Sequence, residues 1–408
     1  MTELTESTLR HNYWCFLWHT GFLALASSFM DVDTVMPSMV AEAGGGAFHI
    51  GLLVTIMLGG SSVSQILFAS YLHNRRYKKK FLLLGINLRI LALAGLAGLF
   101  FTLEDFAGGE CVWLILALVS LFSFSGAFAN ISYVDMMGKL VSKDRRKSLL
   151  SLKQVIYSLG ILVSAIAAYR VISLYEVPKT YELLFLFASL FLLTASFGFW
   201  RLHEIASTGE PTRRFMDFMR VIKREVRENR QLRNYLLIIS TLGDALGIMA
   251  FLVLYAKENF PSMYDMQVGR MLILKIIGAV ITGSALFYFS KRFRYGILLY
   301  ITAGLALSIP LLVIFSASYT LFLFTFFIGG VLSAVYIVSM DGILLEISTM
   351  KNRAIYAGAA GAGSIIPASF SMFSGWLIHA HGFNAFFMLF MAIILCSLVF
   401  IKKLNCRK

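Results

Sequence analysis

The chain has 408 residues, of which 58% are hydrophobic and only 14% charged, with 36 Lys and Arg against 22 Asp and Glu for a formal net charge of +14. Soluble domains carry about a quarter charged residues, yet here no Asp, Glu, Lys or Arg occurs from Gly44 to Asn74, from Tyr295 to Met340 or from Ala354 to Ile401. No soluble surface is built from such runs, so soluble, collagenous, coiled-coil and disordered classes are excluded and the chain reads as a multi-span membrane protein.

In chain order, Met1 to Asn12 is polar, includes Glu3 and Glu6, and lacks the basic and apolar regions of a cleaved signal peptide. A helix crossing the roughly 30 Å hydrocarbon core needs about 20 apolar residues. That requirement predicts twelve spans, over residues 13–36, 47–72, 81–103, 111–137, 148–174, 181–202, 234–255, 268–290, 295–315, 319–345, 354–379 and 383–401. The two longest uncharged runs are too long for single helices and are expected to turn near residues 316–318 and 380–382. Between spans six and seven, Phe215, Phe218, Met219, Ile222 and Val226 recur at helical spacing, with Arg213, Arg214, Arg220, Lys223 and Arg224 among them. This predicts an amphipathic helix on the inner membrane surface.

Orientation follows from the basic residues. The N-terminus, the even-numbered loops and the C-terminus, with Arg201 at the inner end of span six, hold 29 of the 36, while the odd-numbered loops hold only Lys179 and Lys257. Both termini are therefore expected in the cytoplasm, in a plasma-membrane protein. The excess charge is a topological signature with anionic lipid headgroups as partners, and nucleic acid is not implied. The four cysteines form no paired framework or CxxC motif.

The polar segment 203–233 separates six spans from six, and landmarks recur across it. Asn12-Tyr13 matches Asn234-Tyr235, Arg76 matches Arg292, Asp135 matches Asp341, and Arg145 matches Arg353, at offsets of 222, 216, 206 and 208. The expected organisation is a bundle over 1–203, a linker over 204–233 and a second bundle over 234–408. Twelve spans in two six-span repeats resembles the major facilitator superfamily. Between spans two and three that family has Gly, three residues, Asp, Arg, any residue, Gly, any residue and two basic residues. Ser70, Asn74, Arg75, Arg76, Tyr77, Lys78, Lys79 and Lys80 stand there, keeping Arg75 and the basic pair but neither glycine nor the acid. Span five reads Tyr157-Ser-Leu-Gly160 without the Gly-Pro pair of drug/proton antiporters, and no sugar-porter signature follows span six.

The resemblance implies an all-α membrane protein with twelve transmembrane helices in two pseudo-symmetric six-helix bundles, a monomer that exposes a midplane site alternately to each side. It also implies a cytoplasmic gate, with Asp135 near Arg75 or Lys79, Asp341 near Arg292 or Arg294, and Arg145 and Arg353 beside them.

No Walker motif and no metal-ligand or hydrolase constellation is present, so no cofactor is expected and the chain is not read as an enzyme. His379 and His381 stand at a helix end, where an interfacial position is expected rather than a metal site. Gly358, Gly361 and Pro367 suggest close helix packing or a hinge. A charge inside a span costs about 3 kcal/mol on insertion scales unless it is paired or wetted, so intramembrane charges are site candidates. Asp244 in span seven and Lys275 in span eight are expected to pair near the midplane, and Arg89 lies deep in span three. Asp31 and Asp33, near the outer end of span one, read as interfacial carboxylates or, alternatively, proton-binding groups. Gln65, Asn87, Asn130, Gln154 and Tyr157 can line a wet pathway or bond neighbouring helices. The reading is a secondary active transporter of a small organic solute, probe-free in cofactors and coupled to protons through Asp244. Its rivals are an efflux carrier for amphipathic compounds and a carrier-like receptor or lipid-handling protein that moves no soluble solute.

Overall fold

The computed structural model describes residues 5–73, 75–102, 109–141, 143–206, 215–261, 267–288, 294–316, 318–348 and 353–404. Every regular element among them is helical. Span one comprises Glu6–Ser27 and Val35–Glu42, span two Ala47–His73, span three Lys79–Thr102, span four Gly109–Leu140, span five Lys143–Leu174 and span six Lys179–Trp200. Span seven comprises Arg230–Leu242 and Ile248–Asn259, span eight is Val268–Tyr288, span nine Tyr295–Phe315 and span ten Tyr319–Ile347. Span eleven starts with Arg353–Gly363, and Ile365–Lys402 carries the rest of it together with span twelve. That last helix reverses at Gly382, whose φ of 78° only glycine adopts without strain. Both expected turns are thus found, the other lying between the end of span nine at Phe315 and Ser318, which caps span ten by accepting from the Leu321 N–H.

Two spans depart from the continuous helices expected of them. Span one breaks over Ser28–Thr34, and span seven breaks over Gly243–Gly247 in a short 3₁₀ turn. A broken helix in hydrocarbon must recover its backbone partners from neighbouring helices. At Ser28 the recovery is explicit. Its N–H donates to Ser164 Oγ (3.2 Å), its hydroxyl to the Ile161 carbonyl (3.1 Å), and Ser164 Oγ to the Leu25 carbonyl (2.6 Å). Ser164→Ala should therefore destabilise the fold by roughly 1 to 3 kcal/mol, because it leaves the Ser28 N–H and the Leu25 carbonyl unpaired. A melting midpoint of the purified variant equal to the wild type would rule this out.

By internal contacts the chain divides into two units. One holds Met1–Asp31, Glu42–Gly44 and Gly60–Arg213, and the other Val32–Ala41, Gly45–Gly59 and Arg214–Lys408. In the first, span three packs on spans four and six, and span one on span six. In the second, a matching pattern recurs: span nine packs on span ten and on the helix Ile365–Lys402, and span seven packs on that same helix. The duplication reaches single side chains. Asn12, opening span one, donates to the His203 carbonyl (3.2 Å) and accepts from the His203 N–H (3.0 Å) beyond span six. Asn234, opening span seven, donates to the Lys403 carbonyl (3.0 Å) beyond span twelve. An asparagine that pins the first helix of each half to its last explains why the Asn-Tyr pair recurs.

The basic loop between spans two and three is anchored within the first unit. Asp135 takes Lys78 at 2.8 Å and Lys139 at 2.6 Å, correcting the expected partners Arg75 and Lys79. Lys79 instead donates to the Trp200 and Leu202 carbonyls (2.7 and 2.9 Å), and its N–H, with that of Lys78, donates to the Glu204 carboxylate. Glu204 is thus the acid that collects the turn, a residue sequence reading did not single out. Arg145 forms an exposed pair with Glu6 at 3.4 Å. Asp341 makes no ion pair among the described residues, and Arg294 is exposed. Arg292 and the side chain of Arg353 lie outside the described residues, as does the side chain of Gln65.

Lys78 is 3% exposed, so removing its acid strands a charge, while Arg145 and Glu6 are 48% and 87% exposed. Asp135→Ala is expected to cost about 3 kcal/mol and Arg145→Gln under about 1 kcal/mol. Thermal unfolding in detergent would show this order, and equal losses would contradict it.

The helix over Phe215–Glu228 is present, with Ile222 buried and Arg220, Lys223 and Arg224 exposed. Ile222 is covered by protein, since this helix packs on spans seven and eleven. The side chains of residues 211–219 lie outside the described set. In span eleven, a Cβ at Gly361 would meet nothing within 4 Å among the described residues, so no close packing is seen at this glycine. The backbone ladder carries on through Ser364, whose N–H donates to the Ala360 carbonyl (3.0 Å) and whose carbonyl accepts from the Ala368 N–H (3.2 Å), and Pro367 packs against the Gly243 backbone at the break of span seven.

Candidate functional site

In the first unit, residues of five spans line one cavity of about 350 Å³, four of them contributing polar groups. Helical periodicity aligns them: His19, Thr20 and Leu23 on span one, Leu82, Ile86 and Arg89 on span three, Asn130 and Tyr133 on span four, and Lys153, Gln154 and Tyr157 on span five. Leu192 and Phe199 of span six close the wall. Arg89 lays its guanidinium on the Phe122 ring, 4.1 Å from the centroid, while its Nε is buried and makes no hydrogen bond among the described residues. Lys153 Nζ donates to the Tyr133 hydroxyl and stands 4.5 Å from that ring's centroid. His19 stacks on Phe199 at 4.0 Å and its Nδ1 donates to the Ala195 carbonyl (3.3 Å). Tyr157 meets Ser27 hydroxyl to hydroxyl at 3.3 Å.

The cavity therefore contains two basic side chains, no acid among its lining residues, and aromatic surface behind each of the two. Arg89 was expected at a site, and Asn130, Gln154 and Tyr157 were expected to line a pathway. All four meet here, whereas Asn87 faces outward on an exposed helix surface. Lys153, His19 and Tyr133 were missed.

In the second unit the expected partner of Lys275 is replaced. Its ammonium lies 2.6 Å from Asp33 Oδ2, not on Asp244. The break in span one makes this possible, since it takes Asp33 off a continuous helix end and into the turn that precedes Val35. The pair is largely enclosed, with side-chain exposures of 10% for Lys275 and 21% for Asp33, so Asp33 is not the solvated interfacial group expected. Gly330 of span ten lets the chain come against the Lys275 carbonyl, where a Cβ would overlap it. Asp31, half-buried, is an extended residue immediately before that turn.

Asp244 sits in the break of span seven, 6% exposed, with Oδ1 buried and without a hydrogen-bond partner among the described residues. Tyr336 stands against that turn, its hydroxyl 3.3 Å from the position of a Cβ at Gly243. Nearby segments are tied by Thr55 Oγ1 to the Ala368 carbonyl (2.7 Å) and Lys257 Nζ to the Ala41 carbonyl (2.7 Å).

With this geometry in place, comparison with known proteins is informative. The family model described as Major Facilitator Superfamily matches residues 17–261. The fold is similar to that of the xylose transporter XylE from E. coli in an inward-open conformation, at 13% identity and a TM-score of 0.69, covering 97% of this chain and 96% of that one. It is similar to a mutant of the nucleoside transporter NupG at 12% identity and a TM-score of 0.69, covering 96% and 98%. It also resembles a POT family transporter in complex with a thioalcohol-conjugated peptide, at 12% identity and a TM-score of 0.69, covering 97% and 96%. No curated protein sequence matches the chain. At such identities the likeness is one of fold, and it leaves open what this chain carries.

Proposed function

Because the chain belongs to the major facilitator superfamily, and is thus a multi-pass membrane transporter rather than an enzyme, we propose that it is a proton-coupled secondary carrier of a small solute working by alternating access. It resides in the plasma membrane with both termini in the cytoplasm, an orientation that the bias of basic residues supports. The two repeats act as the two rocking bundles, divided near residues 203–234. The observation that carries the coupling is Asp244, an acid enclosed in a broken span and without an ion pair among the described residues. A carboxyl in that setting takes a proton when enclosed and releases it when wetted, which is the chemistry a coupling site needs. Asp33 and Lys275 form the second charged element, a pair whose opening and closing can follow the cycle. Asp135, with Lys78 and Lys139, serves as the cytoplasmic gate element of the first half.

The test begins with a thermal-shift screen of the purified protein against metabolite classes, since a ligand stabilises the state it binds. The stabilising compound is then offered to proteoliposomes under an inward proton gradient. Accumulation that a protonophore abolishes supports the reading. Accumulation unaffected by the protonophore excludes proton coupling, and binding without accumulation marks a receptor.

A further inference from the structure

The cavity of the first unit holds Arg89 and Lys153 together, and their situation is costly as it stands. Each is a basic group within a membrane span, where an uncompensated charge is costly. No lining residue supplies a counter-charge. The aromatic faces of Phe122 and Tyr133 and the Tyr133 hydroxyl offer only dipolar relief. Arg89 Nε is buried with its hydrogen unpaired among the described residues. A planar guanidinium with an unused donor and an ammonium with three donors in one enclosure are complementary to an oxyanion, which accepts from both and neutralises them. The other lining groups extend that match. Asn130, Gln154 and Thr20 can hydrogen-bond hydroxyl or carbonyl groups, while Leu23, Ile86 and Phe199 are apolar. The volume of about 350 Å³ is near the lower end of small-molecule sites.

We propose that the Arg89–Lys153 cavity binds a small organic anion, a carboxylate or phosphate ester, and that this is the class of solute the protein carries. The proposal rests on the transporter reading for its second half only, because binding is measured without transport.

The experiment uses the purified full-length protein in detergent. Isothermal titration is run with short-chain mono- and dicarboxylates, with small phosphate esters, and with the uncharged amides and alcohols of the same carbon skeletons. At least one anion should bind at least tenfold more tightly than its uncharged analogue, and the carboxylate and phosphate arms identify which oxyanion is preferred. Arg89→Gln and Lys153→Gln should each weaken that anion at least tenfold, and Lys153→Arg should lose less than Lys153→Gln. Arg170→Gln, which removes an exposed cation from span five, should leave affinity unchanged. Equal binding of anion and uncharged analogue by the wild type overturns the proposal, and that comparison stands even where a variant fails to fold. Anion binding unaffected by either Gln variant in folded protein also overturns it. If anions bind through Arg89 and Lys153 but proteoliposomes do not accumulate them, the transporter reading fails while the binding site remains.

Discussion

Lys275→Met should lower the stability of the purified protein by about 3 kcal/mol, and adding Asp33→Asn should return part of that loss. The lysine lies 2.6 Å from Asp33, and the two side chains are only 10% and 21% exposed. Removing one partner of an enclosed pair leaves the other desolvated and unpaired, at a cost of roughly 3 to 5 kcal/mol, whereas removing both exchanges a charged contact for a neutral one. Asp33 retains some access to water, which places the expected loss at the low end. The same reasoning makes Asp33→Asn alone harmful, since it strands the lysine. A double-mutant cycle on melting midpoints and chemical unfolding reads the coupling directly. Additive losses would show that the contact carries no energy, and a Lys275–Asp244 cycle run in parallel should give none.

That pairing illustrates how far the sequence could be read. The span count, the duplication and the candidate charges were legible because uncharged runs of about 20 residues have one physical outcome in a membrane. The partner of Lys275 was not, because Asp33 reaches it only through the break at Ser28–Thr34, and that stretch contains no Gly or Pro to announce one. The break is sustained by Ser164 of span five, a residue 136 positions away from Ser28, so no local pattern encodes it. Span seven is different. Gly243 and Gly247 flank Asp244, and two glycines within a span are a visible signal of interruption.

The cation cavity was half legible for a related reason. Arg89 is conspicuous in the middle of an apolar run, with no other charge between Phe81 and Leu103. Lys153 was passed over because it lay five residues from the expected start of span five at Ser148. The helix in fact begins at Lys143, which puts Lys153 ten residues, about 15 Å, along it. Tyr133 and His19 carry no charge and resemble any core aromatic until the spans are assembled. Asp135 was singled out from the sequence, but among five basic residues in one loop only the folded turn selects Lys78 as its partner.

Asp244→Asn should abolish proton-driven accumulation while leaving the fold intact, the sharpest consequence of the coupling reading. Asparagine has the shape of aspartic acid and cannot ionise, so it fits a site where Asp244 is 6% exposed and Oδ1 has no hydrogen-bond partner among the described residues. The melting midpoint should therefore stay the same or rise, in contrast to the loss at Lys275. For a carrier moving one proton with each solute, a gradient of one pH unit is worth about 1.4 kcal/mol, or a tenfold accumulation. Wild-type proteoliposomes should reach that ratio for whichever ligand stabilises the protein, and a protonophore should return it to unity. The Asp244→Asn variant should stay near unity under the gradient yet still exchange labelled for unlabelled ligand, since loss of the titrating group uncouples the solute step from the proton without blocking it. Retained tenfold accumulation in the variant would remove Asp244 from the mechanism and leave Asp31 and Asp33 as the acids to test. Loss of both accumulation and exchange would assign Asp244 to solute binding or to the conformational change instead.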